Sequence, residues 1–363
     1  MGHEMPADRN NMKRMTPLFS LIMRWRKAAL LVLLSFTHSG FSQDSSIRFG
    51  GQLPPEVDTI YERGLAWMAS KQTDKGDWQD GYQGAGVNGI CLMAFLACGE
   101  DPNYGRYAPN IRRAIRAIIE AQEPKTGYLP DSMYNHGFAM LALSEAYGVV
   151  DESLLWQGAA GEQKRSIAQA LELGIKLAVS AQKNNQFGGW RYSPTATDAD
   201  TSVTGAVLMG LLAARNAGMN VPDDTVKKAL DYMARSTGTD GSVAYSGGMG
   251  GMGESMNRSA IATLVFSVGR HKDWDQYKAT LKHIAGQLEH REAGSYAEYF
   301  RYYMAQALFQ GDVDAWKKWN AAKIRELQQI QRPDGSFQSG AYGTGMSLLA
   351  LALNYKFLPI YER

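Results

Sequence analysis

Two aspartates one residue apart, Asp198 and Asp200, stand in the segment GGWRYSPTATDADTSVTG over residues 188–205. Carboxyl groups at this spacing can act as general acids, bind a cation, or cap the helix that the following apolar run GAVLMGLLAA predicts. Calcium takes six to eight oxygen ligands, so two carboxylates are too few for it and we predict no metal site. We expect Asp200 and Asp198 to be either catalytic or ligand-binding residues or a helix cap.

Further candidates stand at the predicted starts of two other apolar helices. His136 in MYNHGFAM can act as an acid or base or bond a ligand, with a core or capping histidine as the alternative. The candidates Glu254, Asn257 and Arg258 come from the glycine-rich stretch GGMGGMGESMNRSA, residues 247–260. That stretch predicts either a flap over a cavity or a plain connector.

The segment SYAEYFRYYMAQ is richer in tyrosine than any other apolar run. Tyr296, Tyr299 and Tyr303 are three and four apart, so a helix places them on one face. Such a face can stack on sugar rings or line an apolar pocket, or its hydroxyls can satisfy one another in the interior. The predicted ligand-binding residues of this helix and of the Gly-Gly-Trp turn are Tyr299, Arg301, Tyr302, Trp190 and Tyr192.

The sequence contains six copies of one repeat unit, and these units position the candidate residues. Each copy has an amphipathic run, a turn with glycine and an aromatic residue, and a second, more apolar run. In IRRAIRAIIEAQ the isoleucines recur three and four apart with arginines opposite, which predicts a half-exposed helix. Runs such as AVLMGLLAA are apolar all round, which predicts a helix buried on every side.

Twelve helices follow from these six units, an outer and an inner helix in each. Glycine-rich turns at one end of every unit favour closure into a ring. We therefore predict an all-α (α/α)6 toroid as one domain over residues 50–363. The N-terminal ends of the inner helices should rim one central cavity.

Composition and the N-terminal segment limit the possible functions. The formal charge is +2 over 363 residues, which gives no electrostatic case for nucleic-acid binding. The segment RWRKAALLVLLSFTHSGFSQ has basic residues before an apolar core too short to span a bilayer. This pattern predicts a signal peptide over residues 1–42 and a secreted or periplasmic protein, with a retained anchor as the alternative. Cys91 and Cys98 are two helical turns apart, roughly 10 Å, too far for a disulfide.

The turns of the repeat carry a family resemblance. QKNNQFGGWRY, QRPDGSFQSG and KQTDKGDW resemble the Q-x-x-x-G-x-W/F repeat of squalene–hopene cyclases and of protein prenyltransferase β subunits. The chain is most similar to secreted bacterial proteins with prenyltransferase and squalene oxidase repeats. The resemblance spans all six units and implies the toroid and an isoprenoid or other hydrophobic ligand. In the aromatic position of these turns we place Trp78, Tyr128, Trp190, Tyr245, Tyr296 and Phe337.

The chain departs from both catalytic signatures of these relatives. The cyclases carry D-x-D-D-T-A, whose first two aspartates match Asp198 and Asp200, while Thr201 stands at the third. Alignment on Asp-Thr instead puts Ala199 at the proton donor. The zinc-binding Asp-x-Cys of the prenyltransferases reads Asp200-Thr201-Ser202 here, and serine supplies no thiolate. Zinc-dependent prenyl transfer is therefore excluded, and the cyclase signature is incomplete.

Three functions remain from the sequence, and none requires a cofactor. The leading one is an exported toroid that binds an isoprenoid or other hydrophobic ligand, with terpenoid cyclase or transferase chemistry left open. The second is a carbohydrate-active enzyme or binder, a lyase or glycosidase if catalytic. The third is a non-catalytic scaffold for a protein partner. A dry cavity favours the first, a wet cleft with carboxylates roughly 5–10 Å apart the second, and a plugged barrel the third.

Overall fold

The computed structural model describes residues 53–162, 164–246, 255–292, 294 and 296–355. The predicted signal peptide over 1–42 lies outside the described residues. So do residues 247–254, which hold Glu254 and most of the predicted flap. The described helices belong to one compact unit, Gln52–Arg363.

Each repeat unit contributes one outer and one inner helix, as the hydrophobic periodicity predicts. The outer helices are α1 (Pro55–Lys71), α3 (Ala108–Ala121), α6 (Ile167–Gln182), α8 (Asp223–Arg235), α10 (Asp275–Ala285) and α12 (Val313–Ile330). The inner helices are α2 (Ala85–Leu96), α4 (Met133–Ala146), α7 (Thr201–Asn216), α9 (Met256–Val268), α11 (Tyr296–Gly311) and α13 (Gly340–Ala352). One short helix, α5 (Glu152–Leu155), follows α4 and was not predicted.

The inner helices close into a ring. Each packs on the next in the order α2, α4, α7, α9, α11 and α13, and α13 returns to pack on α2. The outer ring closes in the same way where α12 contacts α1. The predicted (α/α)6 toroid is therefore confirmed. In the part of the chain that the structure describes, no helix has the length and apolar content that crossing a bilayer requires.

A glutamine at the end of four outer helices ties each to its neighbour. Gln122 Nε2 donates one hydrogen bond to the turn at Gly127 O (2.9 Å) and another to Ala170 O of the next outer helix (2.9 Å). Gln72, Gln182 and Gln331 repeat this pair of bonds. The Gln331 amide reaches Ile60 O of α1, so the same device joins the two ends of the ring.

Replacing Gln331 with alanine should destabilise the protein by about 2 kcal/mol, because it leaves Ile60 O and Gly335 O without their side-chain donor. Urea unfolding followed by circular dichroism measures this loss. Gln338, exposed in the same turn, is the matched control and should change stability by less than about 0.5 kcal/mol when replaced with alanine. Equal effects at the two positions would contradict the ring-closing role.

Five of the turns share a glycine and, two residues after it, a buried apolar or aromatic residue that we call the wedge residue. The first glycine of five turns has a positive φ of 81° to 95°, and a Cβ there would lie within 3.0 Å of the next outer helix's backbone. Two residues later the wedge side chain enters the wall between helices. The wedges are Trp78, Leu129, Trp190, Val243 and Phe337, each at most 2% exposed. The assignment of Tyr128 and Tyr245 to this place was therefore wrong, because Leu129 and Val243 fill it. The assignment of Tyr296 was wrong as well, because Tyr296 opens α11 and is 66% exposed.

Candidate functional site

A cavity of about 660 Å³ opens at the N-terminal ends of the inner helices. The sequence predicted the cavity at this same end of the toroid. All six inner helices contribute lining residues, for example Val87, Tyr134, Ser202, Asn257, Tyr299 and Tyr342. The volume is that of a site for a drug-sized small molecule. The described residues therefore leave an open space within this end of the ring.

Aromatic rings form one wall of the cavity. The ring centroids of Tyr134 and Phe138, both in α4, are 5.1 Å apart. Across the cavity wall, the centroids of Tyr134 and of Tyr299 in α11 are 5.8 Å apart. Behind them, Tyr303 packs edge-on against Tyr299 at 4.8 Å, and Tyr302 lies 4.9 Å from Tyr303. These offset and edge-to-face contacts hold the rings rigidly and present flat apolar faces to a ligand.

Buried polar atoms accompany these rings. Within the described ranges, the hydroxyls of Tyr134 and Tyr299 and the Oδ1 atom of Asn257 have no partner at ideal hydrogen-bond geometry, although the Tyr299 hydroxyl interacts with those of Tyr134, Tyr303 and Ser202. All three side chains line the cavity. The two hydroxyls lie close enough to influence each other's ionisation, and burial raises the pKa of both tyrosines above the usual value. These polar atoms therefore lie just behind the surface of the cavity, within a wall whose side chains combine aromatic rings and polar groups.

Asp200 is the N-cap of α7. Its Oδ1 accepts a hydrogen bond from Val203 N–H at 2.8 Å, and its side chain is fully buried. Its Oδ2 has no hydrogen-bond partner among the described residues and lies 3.8 Å from Arg191 Nε. Burial raises the pKa of Asp200 to about 6, against the opposing effects of the Val203 N–H and Arg191.

The neighbours of Asp200, rather than Asp200 itself, reach the cavity. Tyr192, Ser202 and Tyr245 line it, and the charge of Asp200 acts on Tyr192 and on the lining residue Tyr299. The hydroxyls of Tyr192 and Tyr245 are 3.3 Å apart, and the Arg191 guanidinium lies 5.3 Å from the Tyr245 ring. Asp200 is fully buried and absent from the lining, so its influence on a ligand passes through these neighbouring side chains.

Four of the predicted site residues line the cavity together: Tyr192, Asn257, Arg258 and Tyr299. Asp198 lies outside it at the surface, where its half-exposed carboxylate pairs with Arg191 at 3.5 Å. Arg258 donates from Nε to Val243 O at 2.8 Å, which fixes its stem beside Tyr245. The structure therefore brings predicted residues from α9, from α11 and from the loop before α7 together at the cavity.

Trp190 and His136 are built into the wall instead. Trp190 is 2% exposed, and its indole N–H donates to Ala178 O at 2.8 Å. His136 is fully buried, with Nδ1 accepting from Leu129 N–H (3.1 Å) and Nε2 3.0 Å from Gly174 O. Burial lowers the pKa of His136 to about 4, so the ring is neutral and Nε2 carries the proton that is donated to Gly174 O.

The repeat explains the place of His136. In three other units the side chain that bonds the wedge residue's backbone N–H comes from Asn88, Thr204 or Thr344. His136 does the same for Leu129, so it stands where other units carry Asn or Thr. Its geometry is that of a structural histidine, the alternative that the sequence left open.

Arg301 and Tyr302 also lie behind the lining. Arg301 is 5% exposed and bonds Ser347 Oγ of α13 at 3.0 Å, with Glu326 of α12 at 3.4 Å. Tyr302 is 1% exposed and packs on Phe138 with centroids 5.9 Å apart. Both hold α11 against its neighbours and lie one layer away from a bound ligand.

Several lining residues were not predicted from the sequence as ligand-binding residues. These are Tyr82, Gln83, Tyr134, Asn135, Tyr245, Glu292 and Tyr342. Each stands in the loop before an inner helix or in its first turn. That shared position in the repeat is the signal that would have found them. Among the described residues, no three His, Cys, Asp or Glu side chains come together as a metal site.

Comparison with known proteins supports the fold and leaves the family open. No protein-family model matches the sequence, and no curated protein matches it either. Solved structures match over most of their length. The alpha-1,6-mannanase GH76A of Salegentibacter sp., as an inactive variant with alpha-1,6-mannotriose, is 9% identical with a TM-score of 0.59. It covers 83% of this chain and 99% of its own.

A second group of similar structures consists of terpene cyclases. The type II terpene cyclase MstE from Scytonema, as a variant with geranylgeranyl dihydroxybenzoate, is 14% identical with a TM-score of 0.59. It covers 84% of this chain and 99% of its own. The chain thus has the α/α toroid fold of both enzymes. Identities this low show the fold alone, and the two neighbours bind ligands of different chemistry.

Proposed function

We propose that the cavity binds a polyhydroxylated, sugar-like small molecule. The observation that carries the proposal is a lining in which tyrosine rings alternate with polar side chains such as Gln83, Asn135 and Asn257. A hydrocarbon ligand would leave the polar groups that it covers without a hydrogen-bond partner, at about 1–3 kcal/mol each. Sugar hydroxyls both donate and accept hydrogen bonds, so they suit these polar groups, while the sugar's C–H faces pack on tyrosine rings.

The remaining lining agrees with such a ligand. Among the lining residues described, the aliphatic side chains are those of Val87 and Ile90, and the others apart from Gly86 are aromatic, polar or charged. The isoprenoid hypothesis expects a dry lining of Met, Leu and Phe, so the polar share of these described residues supports a polar ligand. The mannanase with mannotriose shows that a toroid of this fold can hold a sugar chain, which supports the proposal at the level of the fold.

Replacing Tyr299 with phenylalanine tests the proposal, because it removes the hydroxyl and keeps the ring. We expect the stability of the ligand-free protein to stay within about 1 kcal/mol of the wild type. Sugar binding should weaken about fivefold, the effect of losing a hydrogen bond worth about 1 kcal/mol. A thermal-shift panel of oligosaccharides and isoprenoids on the full chain finds the ligand, and isothermal titration then measures the dissociation constants.

Tyr61→Phe is the matched control. The Tyr61 hydroxyl is buried but donates to Ala94 O at 2.9 Å, away from the cavity. Its loss should destabilise the protein by about 1 kcal/mol and leave sugar binding unchanged. Stabilisation of the wild type by isoprenoids and by no sugar would overturn the proposal.

Acid-initiated chemistry on an isoprenoid is the second candidate, and Asp200 is the observation in its favour. A carboxyl with a pKa of about 6 is still largely protonated at mildly acidic pH, and the nearby aromatic rings suit a developing cation. Two features oppose it. The raised pKa makes Asp200 a weaker acid than an ordinary carboxyl, and its side chain is fully buried and does not line the cavity.

The proposed cellular location rests on the sequence. We propose export of the chain on the basic and short apolar pattern within residues 1–42. A sugar-binding toroid outside the cytoplasm would meet polysaccharides of the cell envelope or surroundings. Cell fractionation with an antibody to the chain tests this, and recovery in the cytoplasm would count against it.

A further inference from the structure

Three half-exposed tyrosines stand at the mouth of the cavity. Tyr82, Tyr192 and Tyr296 are 54%, 50% and 66% exposed, and all three also line the cavity. Six large apolar side chains are exposed among the described residues. Half of them therefore gather at this one opening. Exposed aromatic surface concentrated beside a cavity is a mark of a binding surface.

The three tyrosines are spread evenly around the ring. Tyr82 precedes α2, Tyr192 precedes α7 and Tyr296 opens α11. In the order of the inner ring these are alternate helices, because α4, α9 and α13 lie between them. A chain that leaves the cavity in any direction therefore passes close to one of the three.

Neighbouring side chains fix two of these rings without covering them. Tyr82 meets Tyr342 edge-on with centroids 5.2 Å apart. The Tyr192 hydroxyl lies 3.3 Å from that of Tyr245, and the Arg191 guanidinium is 5.9 Å from the Tyr192 ring. Rings held in this way lose little conformational entropy when a ligand stacks on them. Their exposed faces are therefore preorganised stacking platforms.

We infer that the ligand is a sugar chain whose end occupies the cavity while the following sugars cross the rim. Each sugar outside the cavity stacks on Tyr82, Tyr192 or Tyr296. This inference rests on the proposed sugar-binding function and adds that the ligand is an oligosaccharide or the end of a polysaccharide. A single sugar would lie within the cavity and leave the three rim platforms unused.

The test compares ligands of increasing length on the full chain. The probes are alpha-1,6-linked mannose oligomers and beta-1,4-linked glucose oligomers from two to six sugars, titrated calorimetrically. For the series that binds, we expect the dissociation constant to fall about tenfold from the shortest to the longest oligomer. The triple variant Tyr82→Ala, Tyr192→Ala, Tyr296→Ala should bring this ratio close to one. Phenylalanine at the same three positions keeps the rings and should retain the wild-type ratio.

Tyr104→Ala is the control. Tyr104 is 79% exposed in the loop between α2 and α3, at the opposite end of the toroid. Its replacement should leave the length dependence unchanged. Binding that does not depend on length in the wild type, or a triple variant that keeps the wild-type ratio, overturns the inference and leaves the sugar-binding function standing. Absence of binding by every oligomer overturns the inference, and the thermal-shift panel decides the sugar-binding function separately.

Discussion

Replacing Trp190 with alanine is expected to lower the free energy of unfolding by about 4 kcal/mol. The indole is 2% exposed in the wall between α6, α7 and α8, where its N–H bonds Ala178 O. Its backbone N–H is held by Thr204 Oγ1 at 2.9 Å. Alanine would leave a cavity that the surrounding helices can fill only in part. Urea unfolding measured by near-ultraviolet circular dichroism gives the change.

Trp78→Ala is the matched control for this experiment. Trp78 holds the same place in the first unit, is 1% exposed and donates from its indole to Met68 O at 2.8 Å. We expect both variants to lose similar stability and to bind the cavity ligand when folded. A Trp190 variant with nearly wild-type stability but no ligand binding would contradict the structural role and restore Trp190 as a ligand-binding residue.

Asp200 should make the protein more stable in mild acid. Its pKa is about 6 in the folded chain and near 3.8 in the unfolded one, so protons bind more tightly to the folded state. The resulting stabilisation is fully present below about pH 4 and is lost as the pH rises from about 4 to about 6. A rise of about two units corresponds to about 3 kcal/mol. Unfolding free energies at half-unit steps from pH 4 to pH 7.5 measure the loss.

The Asp200→Asn variant isolates this effect, because asparagine retains an oxygen for the Val203 N–H and cannot titrate. The difference between wild type and variant should change by about 3 kcal/mol across the window, in favour of the wild type at low pH. Asp198→Asn, which alters the exposed carboxylate two residues away, should keep the fall in unfolding free energy with pH that Asp200 produces. A pH-independent difference between wild type and Asp200→Asn would show that the carboxyl titrates normally.

The helical hairpins and their closure could be predicted because their signals are local. A spacing of three and four along α3 determines which face is buried, and the all-apolar α7 can only be an inner helix. Glycine at a positive φ before each wedge residue fixes the turn. The same local logic placed the cavity at the N-terminal ends of the inner helices.

The place of individual side chains could not be predicted in the same way. Leu129 rather than Tyr128 fills the wedge position. Side chains as different as Trp, Phe, Leu and Val occupy this position in the five turns, so residue type alone does not identify it. His136 looked like an acid or base until its two ring nitrogens were seen to hold backbone groups of the loop and of α6. Comparison with Asn88, Thr204 and Thr344 in the other units could have indicated this role from the sequence.

The sequence by itself determined the repeat, the helix pairs and the end of the toroid at which the cavity opens. Only the tertiary structure decided that Asp200 is buried outside the lining, and that Tyr134, Tyr299 and Asn257 from three units meet at one cavity. Helix propensity and periodicity act over a few residues, so the chain encodes them visibly. Burial, desolvation and the pairing of polar atoms depend on residues from six units that meet only when the ring closes.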